Sequence, residues 1–224
     1  MGFYYDGVSL QNRRKSNMDS VLLKEKNVDG LAVCIAAVCD GVGSLTDGAF
    51  ASSAVIRMLC EWFDNLDSLQ QLGLCMREAL QEINIRIVEA ARSQSMNTGT
   101  TLSVLLLTGN QYYIVHTGDS RIYTLENQTL IQLTKDQTLG GRLTACFGRM
   151  EKTDFFCNEG PVKDGRFLLC SDGLYKRMEP ALLQKELARA KRKKLGESIE
   201  RLTQYVAEQG ETDNISLAIV LSRE

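Results

Sequence analysis

Four aspartates lie where predicted strands begin or end, far apart in the chain: Asp40, Asp119, Asp172 and Asp213. Asp40 comes directly after the apolar run at residues 31–39, and Asp172 follows the run at 167–170; a glycine follows each of the two. Taken singly, an Asp-Gly pair is typical of a turn. Carboxylates gathered at one edge of a core, however, repel one another unless cations neutralise them. The four together therefore favour a site for a hard metal ion.

The residue types present exclude several kinds of catalytic and nucleotide-binding site. His116 is the only histidine and lies within a predicted strand, which favours a packing role and excludes histidine-rich metal sites. No cysteine is followed by an arginine six positions later, and no Asp-x-Asp pair exists, so covalent phosphoenzyme mechanisms lack their signatures. There is no Walker A motif, and Gly41-x-Gly43 lacks the rest of a dinucleotide fingerprint. Coordination by carboxylate, carbonyl and water remains, and it suits Mg²⁺ or Mn²⁺.

The elements that must position these residues follow from hydrophobic periodicity. Strands are predicted at residues 3–10, 20–24, 31–39, 102–107, 112–117, 122–125, 130–133, 153–157, 166–169 and 215–221. Apolar stripes of helical period occur at residues 51–63 and 72–90, and again at 180–187 and 195–206. Two sequential helix pairs with many strands predict an α/β protein of the α+β kind, in which helices cover layered sheets.

Composition argues against a nucleic-acid-binding, a disulfide-bonded or a membrane-spanning protein. With 224 residues, of which 44% are hydrophobic, the chain suffices for one domain with a large core. A net charge of -2 gives no case for nucleic acid, and the basic run 191–194 reads as a solvated helix end or loop. Seven cysteines without a Cys-x-x-Cys pair indicate reduced core residues of a cytoplasmic protein. No apolar run reaches membrane-spanning length, so no membrane partner is expected.

Seven short motifs, in order, carry a resemblance that spans nearly the whole chain: Arg14-x-x-Asn17-Met18-Asp19, Asp40-Gly41-x-Gly43, Gly99-Thr100-Thr101, Gly118-Asp119-Ser120-Arg121, Leu133-Thr134-x-Asp136, Ser171-Asp172-Gly173-Leu174 and Asp213-Asn214-Ile215. In this order and register the sequence resembles the metal-dependent protein Ser/Thr phosphatases of the 2C type, particularly their compact bacterial members. The resemblance implies a four-layer α-β-β-α sandwich, in which helix pairs flank two mainly antiparallel sheets. It also implies a single domain over residues 1–224.

The resemblance further implies a centre of two Mn²⁺ or Mg²⁺ ions, with room for a third. Its metal ligands by position are Asp40, which would bridge both ions, the Gly41 carbonyl, Asp172, Asp213 and, for the third ion, Asp119. Arg14 matches the arginine that holds the substrate phosphate. Asp19 matches the acidic residue that hydrogen-bonds metal-bound water. Gly99-Thr100-Thr101 and Gly118 are expected to fix strand ends, and Arg121 and Asp136 to support the site from behind or in turns.

The sequence departs from the family pattern at three places. Met18 stands where many members carry a glutamate, which predicts weaker binding of the second metal. Val42 occupies the position where eukaryotic relatives carry a histidine proposed as general acid. Without that acid, hydrolysis should slow more for a serine alkoxide leaving group than for a phenolate. Only 16 residues, 133–148, occupy the region where bacterial relatives insert a mobile flap, which predicts a shortened flap and an open cleft.

The expected function is hydrolysis of phosphoserine or phosphothreonine on proteins by metal-activated water. The expected partners are phosphorylated substrates of a Ser/Thr kinase in signal transduction, with the enzyme as a cytoplasmic monomer. A pseudophosphatase that binds a phosphorylated partner without turnover is the alternative, supported by Met18 and Val42. The set of Arg14, Asp40, Asp172 and Asp213 argues against it, because packing alone requires no such costly groups together. An open cleft would also admit small phosphorylated metabolites.

Overall fold

The computed structural model describes residues 2–222. Its strands are β1 (Phe3–Leu10), β2 (Asp19–Val28), β3 (Leu31–Asp40), β4 (Leu102–Thr108), β5 (Gln111–Thr117), β6 (Arg121–Glu126), β7 (Thr129–Gln132), β8 (Thr138–Leu139), β9 (Arg142–Leu143), β10 (Phe156–Pro161), β11 (Arg166–Cys170) and β12 (Ile215–Ser222). The helices are α1 (Gly48–Asp64), α2 (Leu72–Ser93), α3 (Asp172–Tyr175), α4 (Pro180–Arg189) and α5 (Leu195–Glu208), with a 3₁₀ turn at Arg192–Lys194.

Two five-stranded antiparallel sheets form the centre of the molecule. Their strand orders are β1-β12-β11-β6-β7 and β10-β5-β4-β3-β2. One apolar cluster lies between the two sheets, a second joins the β3 sheet to α1 and α2, and a third joins the β12 sheet to α3, α4 and α5. Three apolar layers separate four structural layers, so the predicted α-β-β-α sandwich is confirmed.

Strand β3 shows why both faces of its sequence are apolar. Val33, Ile35 and Ala37 face the helices α1 and α2, whereas the alternate positions face the other sheet. Residues Ala32 to Cys39 are all buried, so this strand carries no solvent face. The small side chains on its inter-sheet face, among them Ala36, leave room for the second sheet to pack closely. A buried central strand ends directly in Asp40, which places that carboxylate at the rim of the core.

The structure departs from the predicted elements in a few places. Strand β10 begins at Phe156, three residues later than expected, and the one-turn helix α3 was not predicted. All seven cysteines are free, as expected, but the prediction of core positions is wrong for Cys75 and Cys157, which are exposed. The run 191–194 includes an exposed 3₁₀ turn before α5, as its composition predicts. None of the helices in the described part of the chain is long and apolar enough to cross a membrane.

His116 is a buried core residue, as its position in a strand predicts. Its Nε2 donates to the carbonyl oxygen of Gly118 at 3.1 Å, and its Nδ1 lies 2.9 Å from Ser103 Oγ. Burial lowers the pKa of His116 to about 4, because the charged ring would lose its hydration. The folded protein therefore holds the imidazole neutral over the whole physiological range.

This burial predicts an acid-dependent loss of stability. Above pH 6.5 the ring is neutral in both states and its stabilising effect is complete. As the pH falls from 6.5 towards 4, the unfolded chain binds a proton that the folded chain excludes, so stability falls. Urea unfolding at pH 7 and pH 5 should show about 2 kcal/mol more loss for wild type than for His116→Gln. Equal losses in the two proteins would contradict a neutral buried His116.

Candidate active site

Antiparallel pairing brings five aspartates to one edge of the sandwich. Asp19, at the start of β2, lies directly opposite Asp40, at the end of β3. Asp172 follows the end of β11 and Asp213 precedes β12, and these two strand ends are neighbours in the other sheet. Asp119 follows β5 in the turn to β6. Aspartates far apart in the sequence therefore meet in the structure, because one strand of an antiparallel pair ends at the edge where its neighbour begins.

Asp19 is buried in this site, and Asp40 beside it is partly buried. Burial raises the pKa of Asp40 well above its ordinary value, and the carboxylates of Asp19 and Asp172 raise it further. Burial also raises the pKa of Asp19 to about 6, although the nearby hydroxyls of Ser216 and Ser171 partly offset that rise. Neither carboxylate oxygen of Asp19 has a hydrogen-bond partner of good geometry in the described chain. Buried negative charge of this kind requires a counter-charge.

Asp119 and Asp172 lie at the mouth of the site, and Lys176 lies beside them. Burial raises the pKa of Asp119 to about 6, and Asp172 raises it further, whereas Lys176 lowers it. Lys176 Nζ contacts Asp172 Oδ2 at 2.5 Å from the end of α3, four positions along the chain. Lys176 was not predicted as part of the site, although its i,i+4 spacing from Asp172 is the signal that could have identified it.

Arg14 binds Asp213 through both nitrogens of its fork. Nε lies 2.8 Å from Oδ1 and Nη2 lies 2.7 Å from Oδ2. The loop that carries Arg14 is fixed by Asn214, whose side chain donates to the carbonyl oxygens of Gln11 at 2.8 Å and Ser16 at 3.0 Å. Asn214 Oδ1 also accepts from the backbone N–H of Met18 at 2.9 Å. Asn214 is therefore a positioning residue whose role the sequence analysis did not identify.

The backbone around Asp40 and Gly41 is held by close hydrogen bonds. The N–H of Asp40 donates to Thr101 Oγ1 at 2.9 Å, and the N–H of Thr101 donates to the Asp40 carbonyl at 2.8 Å. Gly41 donates to the Met18 carbonyl at 3.1 Å. A Cβ at Gly41 would lie 2.7 Å from that carbonyl oxygen and 2.7 Å from the Gly48 backbone, so only glycine fits. Thr101 and Gly41 thus fix the end of β3, as expected for Thr101.

The oxygen donors at this edge fit a hard divalent cation, although the side chains are not arranged as a finished cage. Across residues 2–222, no three His, Cys, Asp or Glu side chains are grouped closely enough to hold a metal ion. Arg14 and Lys176 instead neutralise Asp213 and Asp172. The unpartnered oxygens of Asp19 still call for positive charge, and carboxylate oxygens are the ligands that Mg²⁺ and Mn²⁺ prefer. Both ion pairs would have to open for a metal to use all the aspartates.

A cleft of about 1090 Å³ opens over the carboxylates. The cleft is lined by all the predicted metal ligands and by Arg14, Met18 and Val42. The rest of its lining includes residues 141–146, 149, 150 and 152–154, a segment that begins in the hairpin of β8 and β9. The cleft therefore collects every residue that the sequence resemblance assigned to the site apart from Asp19, the buried cross-strand partner of Asp40. The individual roles of these residues stay predictions.

Comparison with known proteins gives the class of this fold and site. Residues 7–220 match the family model described as protein phosphatase 2C. The chain is 31% identical to the serine/threonine phosphatase Stp of Listeria welshimeri over 213 residues, which is 83% of each chain. It is 29% identical to the serine/threonine protein phosphatase PstP of Mycobacterium tuberculosis over 238 residues, covering 95% of this chain but only 45% of PstP.

Solved structures of serine/threonine phosphatases have a similar fold. The M. tuberculosis PstP/Ppp structure has a TM-score of 0.87 at 25% identity and covers 99% of both chains. The Stp1 structure from Staphylococcus aureus has a TM-score of 0.88 with coverage of 98% and 95%, and its 18% identity makes it a likeness of fold alone. The chain belongs to the protein phosphatase 2C family, so the resemblance in its sequence is confirmed.

Proposed function

We propose that this chain is a serine/threonine protein phosphatase that hydrolyses phosphoserine and phosphothreonine in proteins with the help of Mn²⁺ or Mg²⁺. The single observation that carries the proposal is the convergence of five aspartates, one of them buried with unpartnered oxygens, beside an arginine fork in an open cleft. The family membership and the names of its relatives support the same reaction.

The predicted metal ligands are Asp40, the Gly41 carbonyl, Asp172, Asp213 and, for a third and weaker ion, Asp119. When bound, divalent cations would supply a nucleophilic water near neutral pH and neutralise charge on the phosphoryl group. Asp19, whose oxygens are free to accept, would orient that water by a hydrogen bond. Its burial keeps the carboxylate away from bulk solvent.

Arg14 binds the substrate phosphate. Its fork already holds a carboxylate in bidentate geometry, and a phosphate offers two oxygens of similar spacing. The side chain is about half exposed, with 47% of its surface accessible, so it can turn from Asp213 to a ligand in the cleft. Release of Asp213 would at the same time free an oxygen donor for the metal.

The substrate class is tested by comparing phosphate release from a phosphothreonine peptide with release from a panel of small phosphomonoesters. A value of kcat/KM at least tenfold higher for the peptide is expected, because the cleft is larger than one phosphorylated side chain. Equal or higher kcat/KM for a small metabolite would replace the protein-phosphatase proposal. Peptide binding without release under any metal condition would favour the pseudophosphatase.

Met18 predicts a high demand for manganese. Its backbone is held by Asn214 and Gly41, and the residue lines the cleft, so an acidic side chain of similar length there would bring a carboxylate to the proposed metal centre. Met18→Glu should therefore lower the Mn²⁺ concentration that gives half-maximal activity by about tenfold. Met18→Gln, which has similar length and no charge, is the control. The same manganese dependence in Met18→Glu and wild type would refute a role of Met18 in metal binding.

The wider setting of the enzyme is proposed from its chemistry. Seven free cysteines support a reducing compartment, which we take to be the cytoplasm. The activity would reverse phosphorylation by a Ser/Thr kinase and so take part in signal transduction. We propose that the enzyme acts as a monomer through one domain over residues 1–224, in which the short hairpin of β8 and β9 stands where a longer flap could be inserted.

A further inference from the structure

The part of the cleft lining that residues 141–154 contribute carries three exposed cations. Arg142, Arg149 and Lys152 all line the cleft, and we refer to them as the basic wall. None of these side chains forms an ion pair or hydrogen bond with another residue between 2 and 222, whereas Arg92 pairs with Glu151 in the same region. Asp154 is the only carboxylate from residues 141–154 that lines the cleft with them. The basic wall is thus left with positive charge in excess.

The backbone beneath the basic wall is held without help from these charges. Asn84, fully buried in α2, donates to the carbonyl oxygens of Met150 at 2.8 Å and Glu151 at 3.0 Å, and accepts from the N–H of Gly148 at 2.7 Å. Phe147 is fully buried and exchanges backbone hydrogen bonds with Thr100 at 2.9 and 3.0 Å. The three cations are therefore not needed to hold this segment in place. Their backbone is fixed by other residues, which suits a preorganised binding surface.

Charge and size together identify the occupant. Arg14 and Lys176 pair with aspartates of the catalytic edge, but the basic wall has no such partner and is available to an anion in the cleft. Met150, which lines the cleft, is 64% exposed, and Leu139, the partner of Arg142 in the β8–β9 hairpin, is 78% exposed. These apolar side chains suit contact with a polypeptide better than with a small metabolite. The chain's net charge of -2 disfavours nucleic acid.

On the basis of the phosphatase function proposed above, we propose that the basic wall binds acidic side chains next to the phosphorylated residue. Acidic phosphoprotein segments are then the preferred substrates. Aspartates and glutamates flanking the phosphate complement three cations that nothing else neutralises, and charges at the rim of a binding site mainly increase the rate of productive encounter. The preference should accordingly weaken as salt is added.

Three phosphothreonine peptides that differ only in flanking glutamate, glutamine or lysine test this inference. Wild type should show about tenfold higher kcat/KM for the glutamate peptide than for the glutamine peptide at low salt. The triple variant Arg142→Gln/Arg149→Gln/Lys152→Gln should reduce that ratio to within about twofold. The variant Arg142→Lys/Arg149→Lys/Lys152→Arg keeps the charges and should keep the preference.

A control variant removes the same number of charges elsewhere. Arg86, Lys185 and Arg189 are exposed and do not line the cleft, so their joint replacement by glutamine should leave the ratio as in wild type. Equal loss in this control would show a general charge effect and overturn the proposal. Equal kcat/KM for the glutamate and glutamine peptides in wild type would overturn it as well.

Failure of the proposed function has a different outcome. An aryl phosphate measured beside the peptides reports whether the catalytic edge works at all. If wild type releases no phosphate from any substrate, the same peptides with a non-hydrolysable phosphonate in place of the phosphate are titrated by fluorescence anisotropy. Tighter binding of the glutamate peptide, lost in the triple variant, would support the basic wall without turnover. Equal binding, or tighter binding of an oligonucleotide, would overturn it.

Discussion

Replacing Asp40 with asparagine is expected to abolish phosphate release and, in the same protein, to raise the melting temperature measured in EDTA. Asp40 is the proposed bridging ligand, so several kcal/mol of charge stabilisation are lost and kcat/KM falls about a thousandfold or more. Stability rises for the opposite reason. Burial and the neighbouring carboxylates raise the pKa of Asp40 well above the value it has when unfolded, so the ionised form of Asp40 opposes folding.

Removal of the Asp40 charge should raise the melting temperature by about 2–4 °C for each kcal/mol that the buried charge costs a domain of this length. Asp164→Asn, at an exposed position in the turn before β11, is the control and should change neither quantity. A less stable Asp40→Asn protein, or one that keeps its activity, would contradict the assignment. Loss of activity with gain of stability excludes misfolding as the cause.

Gly173→Ala is expected to impair both folding and catalysis. A Cβ at this position would lie 2.0 Å from the carbonyl oxygen of Asn214, which is backbone and cannot turn away. The contact joins the segment of Asp172 to the segment of Asp213, so relief of the clash would separate two proposed metal ligands. We expect a loss of about 3 kcal/mol in unfolding free energy and a fall of about a hundredfold in kcat/KM.

A second glycine of the site provides the control for this substitution. A Cβ at Gly43 meets no atom within 4 Å, and the residue has no positive φ, so Gly43→Ala should unfold at the wild-type urea concentration. Wild-type stability of Gly173→Ala would show that the two segments can move apart freely. In that event the close packing of α3 against the start of β12 would not position the ligands.

The sequence predicts best where the pattern is long and apolar. The buried run of β3 was placed to within one residue, because a strand covered on both sides must be apolar throughout. Strand β10 was misplaced because its sequence, ending in Gly160 and Pro161, has little strand propensity, and its bounds come from pairing with β5 at the sheet edge. Helix α3 spans four residues, which is too short to show a period.

The sequence predicts candidate site residues that line one cleft, but it does not predict the side chains with which they pair. Position next to strand ends identified Asp40 and Asp172, since such ends are visible in the sequence. The Arg14 to Asp213 pair joins residues 199 positions apart, and no local pattern reports that contact. The alignment of Asp19 with Asp40 depends on the register between β2 and β3. The basic wall is likewise a product of tertiary structure.

The measurement that tests the central claim most directly is phosphate release from a phosphothreonine peptide as Mn²⁺ is titrated from nil to millimolar levels. EDTA and Asp172→Ala accompany it as controls. The carboxylate site predicts release that rises with Mn²⁺ and disappears in both controls. Release that persists in EDTA or in a folded Asp172→Ala protein would contradict a metal-dependent mechanism at these aspartates. No phosphate release by the wild-type protein at any Mn²⁺ level would contradict enzymatic turnover.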